Sequence, residues 1–413
     1  MTDAPSGRTP ALSLFRIFLM LGCTSFGGPI AHLGYFREAF VARRGWFTEG
    51  AYADMVALAQ FLPGPASSQV GMMIGLARGG IGGMLAAWAG FTLPSALALT
   101  LFAFGVVRFG GVLGGGWLLG LKAAAAAVVA QALIGMARTL APDAPRAGLA
   151  VGGFVVVIGV TGLLGAPVWA QIAAILAGGV LGLVFLKGAG GGSEAGSGQE
   201  EPGLEGAGQG GDGLDIDIGR GVALGALFLF ALLLIVPFLV GLDGGLGLAD
   251  RFYRAGALVF GGGHVVLPLL QAGMVDGGIV GRDSFLAGYG AAQAVPGPLF
   301  TFASYLGAAA GGWGGAAIGT AAIFLPSMLL TLGALPFWAR LRRAPAMRRA
   351  LAGVNAAVVG LLAAAFYDPV LAGVFDRPHA VALAGVAFVA LVIWKLPPWA
   401  VVVTAGVLGG LLL

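Results

Sequence analysis

Charge is scarce in this chain. Of 413 residues, 10% are Asp, Glu, Lys or Arg and 58% are hydrophobic. A water-soluble domain needs roughly 25% charged residues to cover its surface, so a soluble globular chain of this length is excluded. The single cysteine, Cys23, excludes an internal disulfide. Three scattered histidines, with no H-E-x-x-H motif and no Cys/His cluster, supply no metal site. The absence of a Walker A loop argues against direct ATP coupling by this chain. Short alternating segments of the β-barrel kind are missing too. The stretch "LFRIFLMLG" before Cys23 is interrupted by Arg16, so no cleavable targeting segment is expected. Neither catalytic residues, cofactor, metal nor nucleic acid has support.

What the chain has instead is apolar length. The runs 147–164, 166–186 and 221–242 each reach the ~18 residues that cross a ~30 Å hydrocarbon core as helix. The fold class is therefore an all-α polytopic membrane protein. Glycine is abundant, 76 residues, and in membranes small residues let helices approach closely. Most of these glycines read as packing contacts.

One segment is different. Residues 188–218 are Gly-rich, hold seven acids and no Lys or Arg, the composition of a flexible, self-repelling linker. Outside it the charge balance is 22 basic to 11 acidic residues. Much of that excess is what the positive-inside rule requires of loops.

The flanking regions are related to each other. "FGGPIAHL" at 26–33 is echoed by "FGGGHVVL" at 260–267, "AQFLPGP" at 59–65 by "AQAVPGP" at 292–298, and "GFTLPSALALTL" at 90–101 by "AIFLPSMLLTLG" at 322–333. The offset drifts from 234 to 233 to 232, as two single-residue deletions would produce. The chain divides into a first repeat, 1–187, the linker, a connecting transmembrane helix at 219–244 and a second repeat, 245–413.

Loop charges assign the two repeats opposite orientations. Arg37, Arg43 and Arg44 follow the first FGG segment, whereas the matching loop has Arg282 beside Asp276 and Asp283. After the Leu-Pro-Ser helix the bias reverses: the first-half loop is uncharged, and the second carries Arg340, Arg342, Arg343, Arg348 and Arg349. This is the signature of inverted-topology repeats. The N-terminus and linker are placed in the cytoplasm and the C-terminus outside. Residues 11–40 and 50–77 are expected as hairpins of half-helices that enter and return. Full crossings are expected at 79–107, 118–140, 147–164 and 166–187.

Pro and Gly in the middle of apolar runs need a cause, because a broken ladder leaves polar groups that lipid cannot satisfy. Discontinuous helices near the midplane aim their N-termini, with free N–H groups and about half a positive charge, at an anion. Residues 65–77 and 298–310 fit such half-helices, with Pro65 and Pro298 in the first turn. The candidate binding groups near the first break are Gln60, Gly64, Ser67 and Ser68. Gln293, Gly297 and Thr301 stand near the second. Gly27 and Gly28, with Gly261 and Gly262, add flexible backbone. His32, Glu38, Asp54 and His264 are candidates for proton coupling, each with an ordinary packing or ion-pairing role as the competing reading. Trp46, Trp88, Trp313, Trp338 and Trp394 read as interfacial belt residues, and Pro94–Ser95 and Pro326–Ser327 as matched kinks. An oxyanion transporter, a passive oxyanion channel and a lipid-phosphate translocase all remain compatible with these residues.

The stretch "SFGGPIAHLGYFREAFVARRGWFTEGAYADMVALAQFLPGP", with the following "FTLPS", closely resembles the chromate ion transporter family. "FGGGHVVLPLL", "AAQAVPGPLFTFASYLG" and "FLPS" resemble its second domain, so the chain looks like a long, two-domain member. The resemblance implies chromate export from the cytoplasm across the inner membrane, driven by membrane energy and protons, with sulfate competing. It carries over onto Phe26, Gly27, Gly28 and Pro29, then Gln60, Pro63, Gly64 and Pro65, and onto their second-half equivalents. The implied partners are chromate or a related tetrahedral oxyanion, protons and the bilayer, and a homo-oligomer is compatible with it. The second half departs from the pattern with Gly263-His264 where the first has Pro29-Ile30, so unequal roles for the two hairpins are expected.

Overall fold

A computed structural model describes residues 8–109, 115–186, 216, 218–375 and 377–412. The linker, apart from Ile216 and Ile218, lies outside the described residues. The described chain is helical. In order, α1 is Ala11–Thr24, α2 Gly28–Arg37, α3 Glu49–Phe61, α4 Ala66–Phe109, α5 Gly116–Leu140, α6 Ala144–Leu164 and α7 Pro167–Phe185. Then come α8 Arg220–Val240, α9 Gly244–Ala257, α10 Val266–Met274, α11 Arg282–Ala294 and α12 Phe302–Ala334. The chain closes with α13 Trp338–Leu341, α14 Pro345–Ala365, α15 Ala372–Phe375, α16 Pro378–Val392 and α17 Pro398–Leu412. Seven helical stretches among the described residues are long and apolar enough to cross a membrane. This is an all-α, multi-pass membrane protein.

The longest stretch is not one rod. The 44 residues of α4 would run about 66 Å as a straight helix, twice the hydrocarbon thickness. Gly80, at φ 64° and ψ −157°, breaks it. A Cβ on Gly75 would meet the Gly83 carbonyl and stand 2.7 Å from Ala87 Cβ. Residues so far apart in sequence touch only if the helix doubles back. Thus 66–79 (α4a) and 81–109 (α4b) form a tight helical hairpin. In α12 the same reversal occurs at Gly311 and Gly312, the latter at φ 61° and ψ −148°. There Gly307 lies against the Gly315 carbonyl, and its Cβ position is 3.1 Å from Ala316 Cα. The pieces are α12a, 302–310, and α12b, 313–334. Pro94 and Pro326 sit inside these helices without non-helical dihedrals beside them. The kinks fall on glycine rather than on the Leu-Pro-Ser prolines, because only glycine reaches left-handed φ without strain.

Two short excursions precede α4b. The 14 residues of α1 span about 21 Å, too few to cross. The Thr9 amide, just before α1, donates to the Arg78 carbonyl at the end of α4a (2.8 Å). The Arg78 guanidinium lies 4.9 Å from the Trp46 ring centroid, just after the π-helical turn Glu38–Ala42 that extends α2. So α1 and α2 leave from and return to one end of the molecule. The next excursion, α3 and α4a, does the same: α3 starts there with Thr48 Oγ1 capping the Ala51 amide (3.2 Å), and α4a ends there at Arg78. In the second half, Tyr305 of α12a reaches back to Ser284 at the start of α11, donating to its carbonyl (2.9 Å).

The halves interlock. Ring pairs Trp88–Phe324 and Phe104–Trp313, at 6.0 and 5.1 Å, run in opposite sequence order, so α4b and α12b are antiparallel. Helix α5 packs antiparallel on α17, where a Cβ on Gly409 would stand 2.7 Å from Gly120 Cα. Helix α14 packs on α6 and α7, where a Cβ on Gly182 would stand 2.8 Å from Gly353 Cα. Each long helix thus docks on the opposite half, through glycines that bring backbones together. Two ion pairs also cross: Lys122 Nζ to Asp283 Oδ1 (2.8 Å) and Arg342 Nη1 to Asp54 Oδ1 (2.9 Å). Trp338 is buried at the edge of the core, packed on Phe61 with centroids 5.7 Å apart, rather than serving as a belt residue.

The hairpin glycines generate a test. Gly75→Leu should lower the melting temperature of the detergent-solubilised protein, at an overpacking cost of ~1–3 kcal/mol. Gly82→Leu, where nothing lies within 4 Å of a Cβ, should leave the midpoint nearly unchanged. Equal midpoints for the two variants would rule out the doubled-back α4.

Candidate functional site

Four breaks meet between the halves. The first is Ser25–Gly28 between α1 and α2, and the second Pro63–Pro65 between α3 and α4a. Their counterparts are Val259–Gly263 and Pro296–Pro298. The Gly64 amide donates to the Val259 carbonyl (2.8 Å), and the Gly297 amide donates to the Ser25 carbonyl (3.0 Å). Each Pro-Gly-Pro break is therefore closed by the Phe-Gly-Gly break of the other half. The Phe-Gly-Gly breaks themselves approach where a Cβ on Gly263 would lie 3.6 Å from Pro29 Cγ. Backbone groups freed inside a bilayer need a protein partner, and here the partner is the opposite half.

Glycine is required at these positions. Gly27, Gly28, Gly64, Gly261, Gly262 and Gly297 all have φ between 76° and 140°, where a side chain is strained. Gly64 and Gly297 have a second reason. A Cβ on Gly64 would collide with Ser327 Oγ, and one on Gly297 would stand 2.8 Å from Ser95 Oγ. The Leu-Pro-Ser motifs thus lay their serines against the Pro-Gly-Pro glycine of the opposite half. Sequence reasoning missed this pairing. The signal was present in the repeat of Leu-Pro-Ser at matched offset, but nothing in one dimension says what the hydroxyl faces.

The half-helix α4a begins with Ala66, Ser67, Ser68 and Gln69. Among the described residues, the amides of Ala66, Ser67 and Ser68 donate to no carbonyl, while Gln69 N donates to Pro65 O (3.0 Å). These are the orphan donors of a helix N-terminus. Ser67 Oγ lies 3.3 Å from His32 Nδ1, and His32 Nε2 lies 3.2 Å from the Ser25 carbonyl. A carbonyl only accepts, so the facing Nε2 carries the proton, and the Nδ1 of the neutral ring accepts from Ser67. The Ser25 carbonyl receives both His32 and Gly297. Ser25 Oγ, Ser68 Oγ, Gln69 Oε1 and Ser327 Oγ are buried without a partner, uncommon for native interiors.

The other sequence candidates fall in several places. Thr301 Oγ1 donates to the Pro298 carbonyl (2.7 Å). Gln293 Nε2 is buried and faces the Tyr289 hydroxyl, whereas Gln60 is exposed. His264 Nδ1 is 2.9 Å from the Tyr289 hydroxyl, a partner the sequence did not suggest. Glu38 is exposed and paired with Arg43 (2.8 Å). Asp54 is buried and paired with Arg342. Both carboxylates lie away from the assembled breaks, each held by its arginine. Arg37 is likewise paired, with Glu49 (2.6 Å). No group of three or more His, Cys, Asp or Glu that could hold a metal occurs among the described residues.

A multi-pass helical protein whose broken segments converge between its halves has the architecture of a membrane transporter. The comparisons specify the family. A family model described as chromate transporter matches residues 12–183 and 246–410, and the chain belongs to that family, one of transporters rather than enzymes. It is 27% identical over 376 residues to the chromate transport protein of Cupriavidus metallidurans, covering 89% of this chain and 84% of that one. Similarity to the chromate transport protein of Pseudomonas aeruginosa is 28% over 381 residues, 89% and 84% of the two chains. A probable chromate transport protein of Synechococcus elongatus is 27% identical over 383 residues, 86% and 84%. No solved structure matches.

Gly64→Ala should destabilise the protein by ~1–3 kcal/mol through left-handed φ strain plus the Ser327 collision. Adding Ser327→Gly should recover only the collision part. Full recovery in thermal unfolding of the double variant would show that φ strain at Gly64 is unimportant.

Proposed function

We propose that this protein is a secondary active transporter that exports chromate across the cytoplasmic membrane, binding the anion at the half-helix N-termini between two inverted repeats. The observation that carries the reading is the set of free amides and unpartnered hydroxyls at breaks closed across the halves. An anion needs donors and positive potential, and a helix N-terminus supplies both without a fixed cation. The family membership and the names of the relatives support chromate as the substrate, with Gly27, Gly28, Gly261 and Gly262 framing the passage. Gln60, Gly64, Ser67 and Ser68 are the proposed contacts at the first break, and Gln293, Gly297 and Thr301 frame the matching break of the other half.

Inversion is supported by the antiparallel run of α4b and α12b, each following a glycine hairpin. Orientation is supported by charge. Arg44 and Arg78 flank Trp46 at one end, and Arg342 reaches the α3 segment that starts at that end. That basic end is assigned to the cytoplasm, with the N-terminus and linker there and the C-terminus outside. Moving a doubly charged anion outward is then favoured by about 2.3 kcal/mol per charge per 100 mV. Proton entry adds drive. His32 is the favoured coupling residue among the candidates, because its ring links the half-helix start at Ser67 to the Ser25 carbonyl, which also receives the Gly297 amide of the opposite half. His264 and Glu38 hold partners within their own halves, and Asp54 is tied to Arg342 of the opposite half, away from the breaks.

Everted vesicles carrying the purified protein should accumulate chromate above the external concentration, and an uncoupler should abolish that accumulation. Equilibration without accumulation would identify a passive channel. Transfer of phospholipid without chromate flux would identify a lipid-phosphate translocase. His32→Asn should keep downhill chromate flux within a few-fold while losing most proton-driven accumulation. Unchanged accumulation would remove His32 from the coupling step.

A further inference from the structure

The two Pro-Gly-Pro junctions are matched in backbone but not in side-chain chemistry. At the first, α4a opens with Ala66, Ser67, Ser68 and Gln69. Ser68 is 3% exposed and its hydroxyl has no partner. Ser327 arrives from the opposite half, 0% exposed and also unpartnered. Its Oγ occupies the space a Gly64 side chain would fill, and Gln69 Nε2 lies 3.0 Å from that same point. Gln69 is held there by donation to the Pro63 carbonyl (2.8 Å).

At the second junction the equivalent groups are occupied. Thr301, which matches Ser68, donates its hydroxyl to Pro298 O, and its amide donates to the same carbonyl at 3.0 Å. The preceding residues are Leu299 and Phe300, so that N-terminus is apolar. Ser95, which matches Ser327, donates to the Thr92 carbonyl (3.1 Å). Ser25 and Thr92 carry unpartnered hydroxyls beside this junction, but Ser25 ends α1, where the helix dipole repels an anion, and Thr92 lies within α4b.

We infer that the tetrahedral oxyanion is held at the first Pro-Gly-Pro junction alone, with hydroxyl donors from Ser68 of one half and Ser327 of the other, while the second junction is a structural hinge. This rests on the proposed oxyanion transport and narrows it to one composite site. Ser327 is then a binding residue contributed across the repeat boundary. Rocking of one half against the other would separate it from Ser68 and so weaken the site as the anion is released.

The test uses the full-length purified protein in detergent. Thermal stabilisation is titrated with chromate, sulfate and molybdate separately. Ser68→Ala and Ser327→Ala should each raise the half-saturating anion concentration about tenfold, the loss of one charge-assisted hydrogen bond. The matched Thr301→Ala and Ser95→Ala should shift it less than about threefold, since their hydroxyls are spent locally. Equal weakening in both pairs, or none with Ser327→Ala, overturns the inference. Should Ser327→Ala fail to fold, the near-isosteric Ser327→Cys and the Ser68/Thr301 comparison give the answer. If sulfate or molybdate stabilises and chromate does not, the chromate reading fails while the serine comparison proceeds with the active anion. If none of the three stabilises the unaltered protein, both readings fail.

Discussion

Interrupting a helix inside hydrocarbon strands amides and carbonyls that water cannot reach, and every other feature here follows from how that is resolved. Gly64 and Gln69 close one break, Gly297 and Ser25 the other, but the decisive bonds run between halves: Gly64 N to Val259 O and Gly297 N to Ser25 O. Either half alone would leave its Pro-Gly-Pro amide and its Phe-Gly-Gly carbonyl without those partners. The interface is therefore a condition for satisfying the backbone, not an added contact between finished domains.

Close approach makes the exchange feasible. Apolar surface gives helices no reason to associate within lipid, so backbone proximity and packing must supply it. The doubled helices α4 and α12 meet their own return strokes at Gly75, Gly83, Gly307 and Gly315. Helices α5 and α14 reach over to the opposite half and pack glycine against backbone. Aromatic clusters fill the remaining volume, with Phe18, Phe36 and Phe40 in one half and Phe285, Tyr289 and Phe302 in the other, all buried.

The electrostatics divide by depth. Arginines and carboxylates pair near the ends, as in Arg37–Glu49, Arg43–Glu38 and Arg342–Asp54. At the breaks the positive potential comes from peptide dipoles and hydroxyls instead. As the proposed anion site, such a junction would hold its cargo without an ammonium or guanidinium, which suits a carrier that must also release it. Among the proposed coupling residues, His32 shares the Ser25 carbonyl with the Gly297 amide of the opposite half.

The amino-acid sequence by itself determined the membrane class, the positions of the helices and of their breaks, and the relatedness of the two regions. These are local properties: apolar length, proline and glycine inside apolar runs, and motif spacing can each be read without neighbours. It also placed Ser67, Ser68 and the glycines of the breaks. Tertiary structure alone decided which break closes which, that Glu38 and Asp54 are held by arginines, that Trp338 is buried, and that the kinks fall at Gly80 and Gly312 rather than at Pro94 and Pro326. It alone set Ser327 against Gly64, from a residue more than half the chain away. Those outcomes depend on which distant groups a fold brings within hydrogen-bond or van der Waals reach, and two motif sets that run in the same order along the chain carry no record of which copy's serine faces which copy's glycine.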